Sequence, residues 1–127
     1  NALTSLGAIL STDDLLAAQE IVEAIYVDEK IKDLIVKIVH ATRPGSEFFK
    51  PEYNGIITSG ASPRAVIWLY RVSKYMAFMD GKDFVTPDHV FKIVPSILGH
   101  RLILSYEASI DNLKGADVAL KIAKSLV

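Results

Sequence analysis

The stretch "SGASPRAVIWLY", residues 59–70, decides how this chain is read. Ser62-Pro63 has the composition of a helix start. Serine is a favoured N-cap, and proline suits the first helical position, where its missing N–H is not needed. Apolar and aromatic residues follow as far as Asp80, and Gly81 supplies a left-handed stop. A helix over 63–80 is expected, capped by Ser62, with Arg64 at its second position. A cation there faces the positive end of the helix dipole, at a cost of about 0.3–1 kcal/mol. Arg71 follows on the same face, with Trp68 between the two arginines.

Two readings of Arg64 stand. In one, it is a solvated surface arginine whose stem covers apolar area. In the other, the free N–H groups of the helix start and the guanidinium together receive an anion from outside, above all a phosphate. Gly60 is then expected to leave the preceding backbone open for it.

Working outward, Ser11-Thr12-Asp13-Asp14 opens a helix over about 12–25, with Leu15, Ala18, Val22 and Ile25 on its inner face. Asp28 caps a second helix. Its Ile31, Leu34, Ile35, Ile38, Val39 and Thr42 recur at i, i+3, i+4, i+7 until Pro44 and Gly45 end it. Residues 44–60 hold two prolines and three glycines and form a long connection, read either as a functional or mobile loop or, slightly ahead, as one pinned on the core by Phe48, Phe49 and Tyr53. Thr86, Pro87 and Asp88 start a short helix that ends near Pro95, and "SILGHRL" adds a further turn or two, with Gly99 near its end. "RLILSYE" (101–107) reads as a short strand or extended segment, with "AIYV" (24–27) its only plausible strand partner. A last helix over 115–126 puts Val118, Ile122 and Leu126 on one face. The fold class is mainly α: a small helical bundle with two very short strands near 25–27 and 101–105, and Leu34, Ile35, Ile38, Leu69, Val72, Met76, Val90 and Ile93 in one core.

Composition narrows the function. The chain has 127 residues, 50% of them hydrophobic, and a net charge of −1. That suits a single domain over 1–127 and argues against a general nucleic-acid surface. The helix at Thr86 exposes Asp88 and His89 rather than a basic base-reading set, so a helix-turn-helix reader is disfavoured. There are no cysteines, which excludes disulfides and thiolate metal sites and suits a reducing, cytoplasmic setting. No apolar run is long enough for membrane insertion. His40, His89 and His100 have no metal-ligand spacing, so no metal site is expected. No G-x-S-x-G elbow or G-x-x-x-x-G-K-[ST] phosphate loop occurs. Asn1-Ala2, with no initiator Met, reads as a remnant of expression-vector sequence on a fragment of a longer protein.

"GASPRA" (60–65), "DGKDFVTPDHV" (80–90) and "LGHRLILSYEA" (98–108) together resemble the C-terminal helical lid of MoxR-type AAA+ ATPases. "YVDEKIKDLIVKIVHATR" (26–43) is similar to that family's first lid helix and its closing Ala-Thr-Arg. The resemblance covers about residues 10–110. It implies a preceding core domain that holds ATP and Mg²⁺, over which the lid closes. Arg64 would be the sensor-2 arginine that approaches the ATP phosphates, with Gly60, Ser62 and Pro63 shaping its helix start. The resemblance further implies a ring of subunits and a chaperone-like parent that remodels or activates partners, among them von Willebrand factor A-domain proteins. By itself the fragment would be no enzyme. Trp68, His89 and Gly99 depart from the family pattern. Arg43 and Arg101 match family positions but also suit helix C-termini. The rival reading is a stand-alone helical protein-interaction module with no nucleotide role.

Overall fold

Four of the helices begin where a side-chain oxygen can accept an orphan backbone N–H. Ser11, Asp28, Thr86 and Ser105 each cap one. The computed structural model describes residues 7–127, so the expectation for Asn1-Ala2 lies outside the described residues. The described helices are α1 (Thr12–Ala24), α2 (Glu29–Ala41), α3 (Arg64–Met79), α4 (Pro87–Leu98), α5 (Tyr106–Ile110) and α6 (Gly115–Lys124). Two short strands, β1 (Ile57–Ser59) and β2 (Ile103–Leu104), complete the mainly α architecture. No described helix is long and apolar enough to cross a membrane.

The core is built from helical stripes. Ile31, Leu34, Ile35, Ile38 and Val39 bury one face of α2. Ala65, Leu69, Ser73 and Ala77 form an i, i+4 spine along α3, and Val90, Ile93, Val94 and Leu98 line α4. The small residues on the α3 spine let its neighbours approach closely. α4 packs most extensively, against α6 and α3, and α2 lies against α3. Of the expected core, Leu34, Ile35, Ile38, Leu69, Val90 and Ile93 are buried in one cluster, while Val72 and Met76 pack at its edge.

Several local expectations are corrected. The strand at 103–104 pairs antiparallel with β1, Ile57 opposite Leu104, and not with the segment at 25–27. Tyr26 instead forms a single parallel bridge with Phe84: its N–H donates to the Asp83 carbonyl at 2.9 Å, and the Val85 N–H donates to its own carbonyl at 2.9 Å. Loop 44–60 supplies the true strand partner, which its turn-rich composition concealed. Its anchoring is as expected, with Tyr53 buried and Phe48 and Phe49 packed on the core. Pro95 does not end α4, which runs on to Leu98 because Val94 and Leu98 continue the buried stripe begun at Val90. α5, capped by Ser105, follows β2 where the sequence reading has only an extended segment. On α1 only Val22, with Ile25 just beyond, is buried; Leu15 is 56% exposed, because α3 is the helix that α1 meets most and their contact is limited. α1 has no basic residue in its last turn, and Lys74 of α3 takes that place, donating to the Glu23 carbonyl at 2.7 Å.

Candidate functional site

The start of α3 is fixed from outside the helix. Pro63 has helical dihedrals (φ −55°, ψ −24°), but no side chain caps α3, and the Ser62 hydroxyl does not accept a backbone N–H there. This corrects the expected serine cap. The Ser62 carbonyl instead accepts the Ala65 N–H at 2.9 Å, and the Pro63 carbonyl accepts the Val66 N–H at 3.0 Å. The first turn of α3 holds no acidic residue, so Arg64 meets an uncompensated positive helix end.

What holds this turn is the end of α2. The Thr42 side chain is 0% exposed; its hydroxyl donates to the Val39 carbonyl at 2.6 Å and accepts the Ala61 N–H at 3.0 Å. Gly60 lies against the same backbone. A Cβ there would fall 2.6 Å from the Thr42 carbonyl carbon and 2.7 Å from the Arg43 Cα. Gly60 is therefore not an open approach, as the sequence suggested, but a close-packed joint between the end of α2 and the residues before α3. "ATR" (41–43) and "GASPR" (60–64), far apart in sequence, are one structural unit.

Arg64 is exposed, and among the described residues no carboxylate lies within ion-pair distance of it. Arg71 and Trp68 are also exposed on α3, but they line a separate groove with Glu23, Tyr70, Lys74 and Tyr75. Arg43 is exposed just past the end of α2. Arg101 caps a helix: its guanidinium donates to the Ile97 carbonyl at 2.7 Å in the last turn of α4.

The far end of α3 explains one departure from the family pattern, His89. The Gly81 N–H donates to the Phe78 carbonyl at 3.0 Å and the Lys82 N–H to the Ala77 carbonyl at 2.9 Å, with Gly81 at φ +66°. This is a Schellman stop. Beyond it, His89 does the work of the acid in a capping box. The Thr86 N–H donates to His89 Nδ1 at 3.0 Å, which leaves Nε2 carrying the proton and facing Asp80 Oδ2 at 3.0 Å. Lys92 reaches the same oxygen at 3.0 Å. The Lys92 ammonium, hydrogen-bonded to Asp80, holds that carboxyl below the usual range, and His89 adds to the effect. Gly99 is close-packed on two sides, because a Cβ there would lie 2.5 Å from the Pro95 carbonyl oxygen of α4 and 3.0 Å from Ala116 of α6. Among the described residues, no three metal-ligating side chains gather into a metal site.

Thr42 is the residue of this site that sequence reading did not single out. The sequence shows it as the last member of an apolar stripe and as part of the closing Ala-Thr-Arg, with no role of its own; its one local signal is a polar side chain in an inward position.

Residues 54–122 match the AAA lid domain family. The chain is 36% identical over 105 residues to the chaperone MoxR1 of Mycobacterium tuberculosis, covering 83% of this chain and 28% of that protein. It is 29% identical over 91 residues to MoxR of Methylorubrum extorquens, covering 68% and 26%. Its fold matches a crystal structure from Cytophaga hutchinsonii, provisionally described as an ATPase, with a TM-score of 0.83 at 33% identity over 91% of this chain and 35% of the other. The chain thus spans no more than 28% of these two curated relatives. Helical architecture, motif order and sequence agree: the chain belongs to the AAA lid domain family, as the C-terminal lid of a MoxR-type AAA+ ATPase.

Proposed function

We propose that this chain is one lid domain that closes over ATP held mainly by a separate core domain and supplies Arg64 as the sensor-2 arginine. The observation that carries the reading is the start of α3. An exposed guanidinium with no ion-pair partner among the described residues sits on a helix end that no side chain caps. That arrangement costs the lid alone a little and is offset when an external phosphate arrives. Gly60, Ser62 and Pro63 shape the start: Gly60 by close packing, Ser62 and Pro63 through carbonyls that accept the first helical N–H groups.

The chemistry is electrostatic. ATP with Mg²⁺ supplies the transferable phosphoryl group and its charge. The planar guanidinium of Arg64 matches two phosphate oxygens at once, and water exclusion by the closed lid strengthens the contact. Loss of the γ-phosphate removes one partner, so lid position reports nucleotide state. In this reading the ATPase works as a cytoplasmic ring whose lids and cores contact one another between subunits. Its action is chaperone-like, with von Willebrand factor A-domain proteins among its partners, and it involves no nucleic acid and no membrane insertion. Lacking a phosphate loop, the lid alone does not hydrolyse ATP.

The test is made in the AAA+ ATPase that contains this domain. Arg64→Ala should lower ATP turnover by about tenfold or more while the lid melts at or slightly above its normal temperature. Arg64→Lys should restore only part, because an ammonium keeps the charge but lacks the fork. Unchanged turnover in Arg64→Ala refutes the reading. It would favour a helical interaction module, for which the exposed Ile67, Trp68, Tyr75 and Met79 of α3 supply a surface.

A further inference from the structure

Four of the six described helices carry their own N-terminal side-chain cap; α6 and α3, the one that bears Arg64, do not. The start of α3 is held instead by a hydroxyl from another helix end. We propose that Thr42 is the positioning residue for Arg64, setting where the guanidinium meets phosphate; this rests on the sensor reading of Arg64. The geometry gives the hydroxyl no freedom. Its proton is committed to the Val39 carbonyl at 2.6 Å, so a lone pair is directed at the Ala61 N–H, 3.0 Å away. Both Thr42 and Ala61 are fully buried, so water does not compete for that N–H. Only Ser62 and Pro63 separate Ala61 from Arg64, and Pro63 is stiff in φ. Displacement of Ala61 is therefore passed to the first turn of α3 rather than absorbed before it. Gly60, pressed against the Thr42 and Arg43 backbone, closes the other side of the joint.

Thr42→Val keeps the shape and removes both hydrogen bonds. In the full ATPase misplacement of the guanidinium should lower kcat several-fold, to at most the factor lost in Arg64→Ala, with a smaller change in KM for ATP. Thr42→Ser keeps both bonds and should restore most of that turnover. If Thr42 acts through Arg64, Thr42→Val combined with Arg64→Ala should be no slower than Arg64→Ala alone. Full turnover in Thr42→Val, beside an impaired Arg64→Ala, overturns the positioning role and leaves the sensor reading intact. So does a double variant that loses the two factors multiplied together. Normal turnover in Arg64→Ala overturns the sensor reading and the role of Thr42 with it. Should Thr42→Val not fold, Thr42→Ala leaves room for a water to take the Ala61 N–H and is assayed in its place. If neither folds, Thr42 is a folding residue and the proposal fails.

Discussion

Gly60→Ala tests the joint between α2 and α3 directly. The new Cβ would overlap the Thr42 carbonyl oxygen and lie 2.6–2.7 Å from the Thr42 carbonyl carbon and the Arg43 Cα, where ordinary contact begins at 3.4 Å, so two stretches of backbone must part by about 1 Å. No flexible side chain is available to yield. Overpacking costs about 1–3 kcal/mol, and a rigid backbone on both sides puts this case at the upper end. The same movement stretches the 3.0 Å bond from the Ala61 N–H to Thr42 Oγ1, removing part of its roughly 0.5–1.5 kcal/mol. Reduced freedom of the unfolded chain returns about 0.4–1 kcal/mol. The net loss is about 2–3 kcal/mol, a fall in Tm of roughly 6–15 °C for a domain of this size. Urea and thermal unfolding of the isolated domain, followed by helical circular dichroism, would read it. Gly45→Ala is the comparison. It sits at φ +86° with no heavy atom within 4 Å of the added Cβ, so only its conformational cost of about 1–2 kcal/mol applies. An unchanged or raised midpoint in Gly60→Ala, or a smaller loss than in Gly45→Ala, would refute the close-packed joint.

Ile38→Ala, at a fully buried site on α2, should destabilise the domain by about 2–5 kcal/mol, measured as a lowered urea midpoint with the slope retained. For Asp80 the sign follows from a carboxyl held below its ordinary value by Lys92 and His89. Its contribution is complete above about pH 4 and is lost as pH falls through the lower folded value. Asp80→Asn should therefore melt below the wild type near neutral pH and converge with it in acid; a constant gap down to about pH 2 would count against that ion pair.

Much of the helical plan was legible from local chemistry. Asp28 and Thr86 cap where their side-chain oxygens can reach the first N–H groups, and Gly81 stops α3 because a left-handed residue is needed there. The stripe from Ile31 to Val39 gave away the buried face of α2 by its spacing alone. These features depend on residues within one or two turns of each other, so a linear sequence contains them. Arg64 could be singled out for the same reason: its conflict with the helix dipole is local. What it faces was not legible. Ser62 looked like a cap, but Thr42, nineteen residues before Ala61, bonds the segment ahead of the helix. Gly60 looked permissive, but it is crowded by the α2 terminus. Gly99 gave no sign that α6 would lie against it, and "RLILSYE" gave none that its partner was Ile57–Ser59. Each of these is a contact between distant segments. Such contacts are decided only when the helices pack and bring two backbones within an ångström of clashing or within reach of one buried hydroxyl.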